Sequence, residues 1–233
     1  MSEIKKHLLN QIESSNQFFW LKSRHFLVSK FIEKYGIKNV IDVGAGIGGL
    51  GDALKKNNNV EYFFIEIDEK SQKVLEEKFS IQHNLLNKTK NFDGSKCIAF
   101  LDVIEHVKSP DIFIKEQLSR FESAYIIITV PAYQFLWSNW DVMLGHFRRY
   151  TKKDLINLTK SLKINKIEAN YIFPELLPAS IMRKIINSKK ITFPNLPSYL
   201  NKFLYLFSLF IQKFRKIIPF GLSVFYIGYY EAK

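Results

Sequence analysis

The stretch Val40-Ile-Asp-Val-Gly44-Ala-Gly46-Ile-Gly48-Gly49 constrains this chain more than any other. A β-branched run, Asn39–Val43, drives into glycines spaced two apart, and residues 50–56 follow with helical character. Glycines at such a turn allow left-handed backbone angles and close approach to a ligand, while the helix start offers unpaired N–H groups. Strand, glycine turn and helix form the opening unit of a doubly wound sheet. The alternation continues. Residues 60–67 read as a strand, Glu69–Phe79 as a helix with Asp68 as its N-cap, and 97–103 as a buried strand. Ser109-Pro110-Asp111 opens a helix with Ser109 as N-cap. Residues 124–130 read as a strand stopped by Pro131, Thr151 to Asp154 as a capping box before the helix 155–162, and 164–173 and 222–230 as two final strands. Residues 17–35 read as an amphipathic helix carrying Phe19, Trp20, Phe26, Leu27, Phe31 and Ile32. The predicted fold is α/β and Rossmann-like, a mostly parallel sheet with helices on both faces.

Composition fits that reading and removes others. The chain has 233 residues, 47% hydrophobic and 24% charged, which excludes disordered, collagenous and disulfide-stapled classes. The single cysteine, Cys97, cannot pair within the chain and reads as a small buried hydrophobe. Residues 1–16 show no signal-peptide core, and the longest apolar run, 203–211, falls short of the roughly 18–20 residues that span a bilayer. A cytoplasmic protein is expected. The net charge of +12 is uneven: residues 151–233 carry +10 of it. Residues 174–221, between the last two strands, carry +7 beside the longest apolar run. Such asymmetry points to an acidic partner: a phosphate-bearing substrate, a membrane surface or a nucleic acid.

Three acidic segments accompany the glycines. Gly44, Gly46 and Gly49 also satisfy the dinucleotide spacing, so glycines alone leave an NAD(P)-dependent oxidoreductase open. Asp42 argues against it, because a carboxylate before the turn repels pyrophosphate and suits a ligand bearing an ammonium group. Glu66 closes the next strand, where a carboxylate can accept both ribose hydroxyls. Leu101-Asp102-Val103-Ile104-Glu105-His106-Val107 ends a further strand in a loop with two carboxylates and a histidine. His106 is a candidate proton carrier or a histidine that merely holds the turn.

Taken in order, Asp42-x-Gly44-x-Gly46-x-Gly48, Glu66 and Leu101 to Val107 resemble the class I S-adenosylmethionine (SAM)-dependent methyltransferases. Within them, the similarity is to the branch of ubiquinone-biosynthesis O-methyltransferases and bacterial small-molecule and sugar methyltransferases. It covers roughly residues 17–173 and implies a seven-stranded sheet. It also implies that Asp42 and the backbone of Gly44, Ala45, Gly46 and Gly48 hold the methionine part of SAM. Glu66 would take the ribose with Ile67 beside it, Asn84 and Leu85 the adenine, and Leu101 and Asp102 the pocket wall. Asn84 stands where the family usually has aspartate, but its carbonyl can accept the same bond. Arg24 falls where related enzymes place an arginine near the SAM carboxylate. S-adenosylhomocysteine would be the product.

Residues 130–150 resemble a loop of uncharacterised bacterial methyltransferases of this branch. Asp141 and His146 are candidate catalytic groups with His106, and Trp137, Arg148, Arg149 and Tyr150 candidate acceptor-binding groups, two adjacent arginines suiting phosphate or carboxylate. His106 or His146 would remove a hydroxyl proton. No metal is expected, although Asp102, Glu105 and His106 could offer ligands to a divalent ion. The chain reads as one domain: a helical cap over 1–35, a SAM-binding core over 36–173, an insertion over 174–221 and a final strand over 222–233. The acceptor expected is a small or lipid-linked saccharide or envelope metabolite, acidic or phosphorylated. Residues 199–217 would touch an anionic membrane, with core packing or a homodimer as the bland readings of that run. RNA binding or modification by the basic region is the alternative. It is not preferred, because the stacked aromatic and basic motifs of RNA modules are lacking.

Overall fold

A computed structural model describes residues 18–55, 59–88, 90–186 and 196–232. Residues 1–16, the predicted helix end at Lys56, and Lys189 and Lys190 lie outside them. The described chain runs α1 (Phe19–Lys34), β1 (Asn39–Val43), α2 (Gly49–Leu54), β2 (Glu61–Ile65), α3 (Glu69–Phe79), β3 (Lys96–Leu101), α4 (Pro110–Leu118), β4 (Ser123–Pro131), α5 (Asn139–Leu144), α6 (Lys152–Ser161), β5 (Asn165–Ile172), α7 (Leu177–Ile186), α8 (Ser198–Gln212) and β6 (Ser223–Glu231).

The strands form one sheet in the order β2-β1-β3-β4-β6-β5. β1 pairs in parallel with β2 and β3, β3 with β4, and only β6 runs antiparallel, between β4 and β5. Among the described residues the strands number six rather than the expected seven. Where a further strand would flank β2 there is a single bridge, Phe64 to Asn84, because Asn84 enters a turn that its own side chain closes. Side chains alternate across the sheet, so Ile41, Phe63, Phe100 and Ile126 fill one core while Val40, Phe64, Ala99 and Ile127 fill the other. Cys97 belongs to the second core, and burial pushes its thiol well up from its ordinary value.

Local chemistry sets the helix boundaries. Asp68 caps α3 by accepting from Ser71 N–H at 2.9 Å, and Thr151 and Asp154 form a reciprocal box at the start of α6. Ser109 sits at the N-cap of α4, but its hydroxyl makes no capping bond, so Pro110 and Asp111 carry that start. α1 buries Phe19, Ser23, Arg24, Val28, Phe31 and Ile32, while Phe26, expected on the apolar face, is exposed. α8 lies on α1, where Ser208 Oγ donates to Ser23 Oγ at 3.0 Å and Phe19 N–H donates to Asn201 Oδ1 at 3.0 Å.

The topology dictates where a ligand can sit. From β1 the chain moves to β2 on one side and returns as β3 on the other, so the order reverses at β1. In an open α/β sheet a crevice forms beyond the carboxyl ends of the strands at that reversal. The parallel register levels Val43 with Ile65 and Phe100. The segments after β1, β2 and β3 therefore open at one edge with Gly44, Glu66 and Asp102.

Candidate active site

The glycine turn is built close against the next loop. Gly44, Gly46 and Gly48 have φ of 70°, 57° and 81°, a region side chains rarely adopt. At Gly44 sterics add to conformation: a Cβ there would lie 2.7 Å from a methyl of Val103. The strands around the turn supply three carboxylates. Asp42 is buried and accepts from Tyr62 Oη at 2.8 Å. Burial pushes its carboxyl up to about 7, with Tyr62 and Arg24 partly opposing and Glu66 adding to the rise. Glu66 accepts three backbone N–H groups, Gly46 at 2.7 Å, Ile67 at 2.8 Å and Asp68 at 3.0 Å. Asp102 takes a left-handed φ of 58°, pairs with Arg24 and accepts from Thr129 Oγ1 at 3.0 Å.

Arg24 is thus no exposed helix arginine. It is buried, it reaches across to the end of β3, and its Nε has no hydrogen-bond partner. Ile67 stands out from the end of β2 at 83% exposure, an apolar surface beside Glu66. Asn84 is buried, with its amide donating to Glu76 Oε1 at 2.9 Å and its carbonyl accepting from Leu86 N–H at 2.9 Å. That carbonyl, expected to face a ligand, is taken up by its own turn. Leu85 and Leu101 are buried in the adjoining cores. Three carboxylates and one buried guanidinium around a glycine turn suit a ligand with cationic centres, vicinal hydroxyls and a carboxylate. SAM fits that description.

Beyond β4 the chain leaves the sheet and comes back as a closed loop. Tyr150 N–H donates to the Pro131 carbonyl and Tyr133 N–H to the Tyr150 carbonyl, so residues 131 and 150 pinch together. Phe147 N–H donates to the Glu105 carbonyl at 2.8 Å, which fastens the loop to the segment after β3. At its centre Asp141 is 0% exposed. It accepts from Arg149 Nε at 2.7 Å and Nη2 at 3.1 Å, from Ser138 N–H at 3.0 Å, and it bonds His146 Nδ1 at 2.8 Å. Burial works to raise its carboxyl, but the bonds from His146 and Arg149 and the guanidinium charge win and hold it below the usual range.

This arrangement corrects parts of the sequence reading. Arg149 is not offered to an acceptor: Asp141 takes it bidentately, and its Nη1 donates to the Ala132 carbonyl. Tyr150 is buried in the core under the loop, so it cannot line an open site either. Arg148 donates to the Lys108 carbonyl at 2.7 Å. Trp137 is partly exposed at the loop. Asp102 drops out of the possible metal-ligand trio because Arg24 holds it, and His146 arrives in its place. One ligand atom each from Glu105, His106 and His146 lie within 4.8 Å of one another, and the two imidazole rings meet edge to face with centroids 4.6 Å apart. Glu105 is buried with Oε2 unpartnered, and burial, then the charge of Asp102, push its carboxyl well up. Partial desolvation and the neighbouring His146 hold His106 below its ordinary value. Sequence reasoning missed Arg183, whose guanidinium lies 3.8 Å from the centroid of the Trp140 ring. Only its place in a basic stretch could have marked it.

A family model described as a methyltransferase domain matches residues 13–163. No curated protein matches the chain. Among solved structures, a SAM-dependent methyltransferase from Archaeoglobus fulgidus superposes with a TM-score of 0.52 at 17% identity, covering 88% of this chain and 94% of that one. A chain from a Haloferax volcanii complex of a methyltransferase with its activator gives a TM-score of 0.61 at 12% identity, covering 99% and 97%. Phosphoethanolamine N-methyltransferase 2 of Haemonchus contortus, in complex with SAM, gives 0.53 at 14% identity, covering 84% and 49%. At these identities the likeness is one of fold.

Proposed function

The chain belongs to the methyltransferase-domain family, and from that premise we propose that it transfers the methyl group of SAM to a hydroxyl of a small or lipid-linked, acidic or phosphorylated saccharide. The observation that carries the hydroxyl reading is the Asp141–His146 pair beside the crevice. When bound, SAM supplies a methyl group already activated on a sulfonium, so the protein's work is to position and to accept a proton. Asp42 would face the ammonium group, Glu66 the ribose hydroxyls, Arg24 the carboxylate, and Ile67 the adenine face. Glu66 now holds Gly46 N–H and Arg24 holds Asp102, so both contacts must loosen as the cofactor enters. Asp141 holds Nδ1 of His146 and leaves Nε2 to take the acceptor's proton, with Asp141 acting as a positioning residue. Arg183 over Trp140, with Arg148 near it in sequence on the same loop, would attract an acidic acceptor. A lipid-linked acceptor would be met at the cytoplasmic face of a membrane.

A divalent cation is the second reading, favoured by the convergence of Glu105, His106 and His146 and by the unpartnered Glu105 oxygen. These three residues would hold the ion, which would lower the acceptor hydroxyl's pKa. Exhaustive chelation separates the readings: unchanged turnover supports the histidine base, and loss restored by a divalent ion supports the metal.

The direct test incubates the protein and methyl-labelled SAM with aqueous and lipid fractions of the source cell. Label in an alkali-stable ether of a saccharide fraction is the expected result, and label confined to RNA or protein sinks the proposal. Two binding predictions accompany it. Asp42 is neutral below about pH 7 and charged above it, and the ammonium of SAM prefers the charged form. SAM affinity measured by calorimetry should therefore rise with pH through 7, with proton release below it, and Asp42→Asn should flatten the profile. Glu66→Ala removes charged hydrogen bonds to the ribose and should weaken SAM binding by roughly 10- to 100-fold. Unchanged affinity would remove Glu66 from the site.

A further inference from the structure

Helix α8 is built inside out. The side chains it buries are Ser208 and Gln212, whereas Phe203, Leu206, Phe207 and Phe210 are 42 to 61% exposed. The buried serine has a specific reason to be there, its bond to Ser23 on α1. The apolar side chains have no such reason within the chain. Their spacing of three and four residues places them on one stripe, and Phe214 and Ile217 carry the stripe past the helix end. The rings support one another: Phe203 stacks on Phe207 with centroids 6.2 Å apart, and Phe210 meets Phe214 edge-on at 5.3 Å. Helix α7 adds Ile181, Met182, Ile185 and Ile186, all exposed. Exposed apolar area of this extent on a soluble domain marks a contact surface.

Charge says which contact. Lys202, Lys213 and Lys216 are exposed and flank the stripe in sequence. Lys22 and Lys202 also line a groove between α1, α2 and α8, where Leu206 reaches from the stripe. The segment 174–221 has a net charge of +7. A second copy of the chain would set this charge against its like, so self-association through the stripe is opposed by electrostatics. RNA would meet the lysines, but the phenylalanines are taken up with one another, Phe203 on Phe207 and Phe210 against Phe214, and Leu206 and Ile217 give a base no ring to stack on. A bilayer with anionic headgroups satisfies both features, since acyl chains accept the apolar stripe and headgroups the lysines. No helix among the described residues is long and apolar enough to cross a membrane, so the contact would lie in the interface plane.

We propose that the exposed face of α8 docks this enzyme on the surface of an anionic lipid bilayer. α7, which precedes α8 in the chain, packs on the candidate active site, since Arg183 stacks on Trp140 and Lys184 donates to the Phe135 carbonyl. The surface is read from its own composition and stands whichever acceptor is methylated.

The test is flotation of the full chain with vesicles of phosphatidylcholine alone and of phosphatidylcholine mixed with phosphatidylglycerol, at low and high salt. Binding is expected to the mixed vesicles and to fall with salt. The double variant Phe207→Glu with Phe210→Glu changes exposed positions only and should reduce vesicle partitioning by roughly ten-fold or more. Lys213→Ala with Lys216→Ala should reduce it by a similar factor and remove the preference for anionic lipid. Thermal unfolding and SAM affinity of both variants should match the parent, which separates lost docking from lost folding. The proposal is overturned if the parent ignores both vesicle types or if the glutamate variant floats undiminished. It is equally overturned if the glutamate pair instead dissolves a dimer seen by sedimentation or abolishes retention of single-stranded RNA.

Discussion

His146→Ala should lower kcat by roughly 10²- to 10⁴-fold while leaving the affinity for SAM unchanged. The imidazole is held at Nδ1 by a fully buried carboxylate, which fixes its direction and its tautomer and frees Nε2 for the acceptor proton. Its hydrogen bond goes to Asp141 rather than to Asp42, Glu66 or Asp102, so the loss belongs in turnover rather than in cofactor binding. His106→Ala touches the same cluster through the ring contact, without a carboxylate behind it, and should cost less. Single-turnover label transfer with pre-bound SAM, beside calorimetric SAM titration, reads the two quantities separately. Undiminished transfer by His146→Ala would dispose of the base assignment. If chelation and His146→Ala each abolish transfer, the metal reading replaces it.

The fold around the glycine turn was legible because its signals are local. A strand run, spaced glycines and an acidic residue at a strand end specify backbone path and chemistry within a few positions, and β1, α3 and the box at α6 follow the pattern closely. The loop beyond β4 depends on contacts no spacing announces. Asp102 was grouped with Glu105 and His106 because they are close in sequence. Its left-handed backbone instead accompanies a turn toward Arg24, 78 positions away, and His146 enters from beyond β4. Arg149 read as an anion binder because two arginines stand together, yet Asp141, also in the loop, takes its guanidinium first. Residues 203–211 looked apolar on every side. Ser208 decides which side turns inward, because Ser23 on a distant helix offers it a hydrogen bond, and Gln212 is buried on the same helix without one. The seventh strand, absent among the described residues, is of the same kind: one side-chain bond at Asn84 favours a turn over extension.

Asp141→Ala should destabilise the fold by about 3–5 kcal/mol, because it strands the Arg149 guanidinium in a buried site with only the Ala132 carbonyl at hand. For a chain of this size that is a fall in Tm of roughly 10 °C. The same substitution removes the acceptor of Ser138 N–H and the orienter of His146, so the loop from Pro131 to Tyr150 would lose its centre. Asp141→Asn keeps the shape and some hydrogen bonds and should cost less. The pH dependence has a definite sign. Asp141 is held below its unfolded value, so its contribution is present above the ordinary carboxylate range and is lost as pH falls through the folded value. The stability gap between parent and Asp141→Ala should therefore close in acid. A double-mutant cycle with Arg149→Leu isolates the pair: removing both partners should cost clearly less than the sum of the single losses, since no charge is left unpaired. Additive losses, or an Asp141→Ala variant as stable as the parent at neutral pH, would show that the pair does not organise the loop.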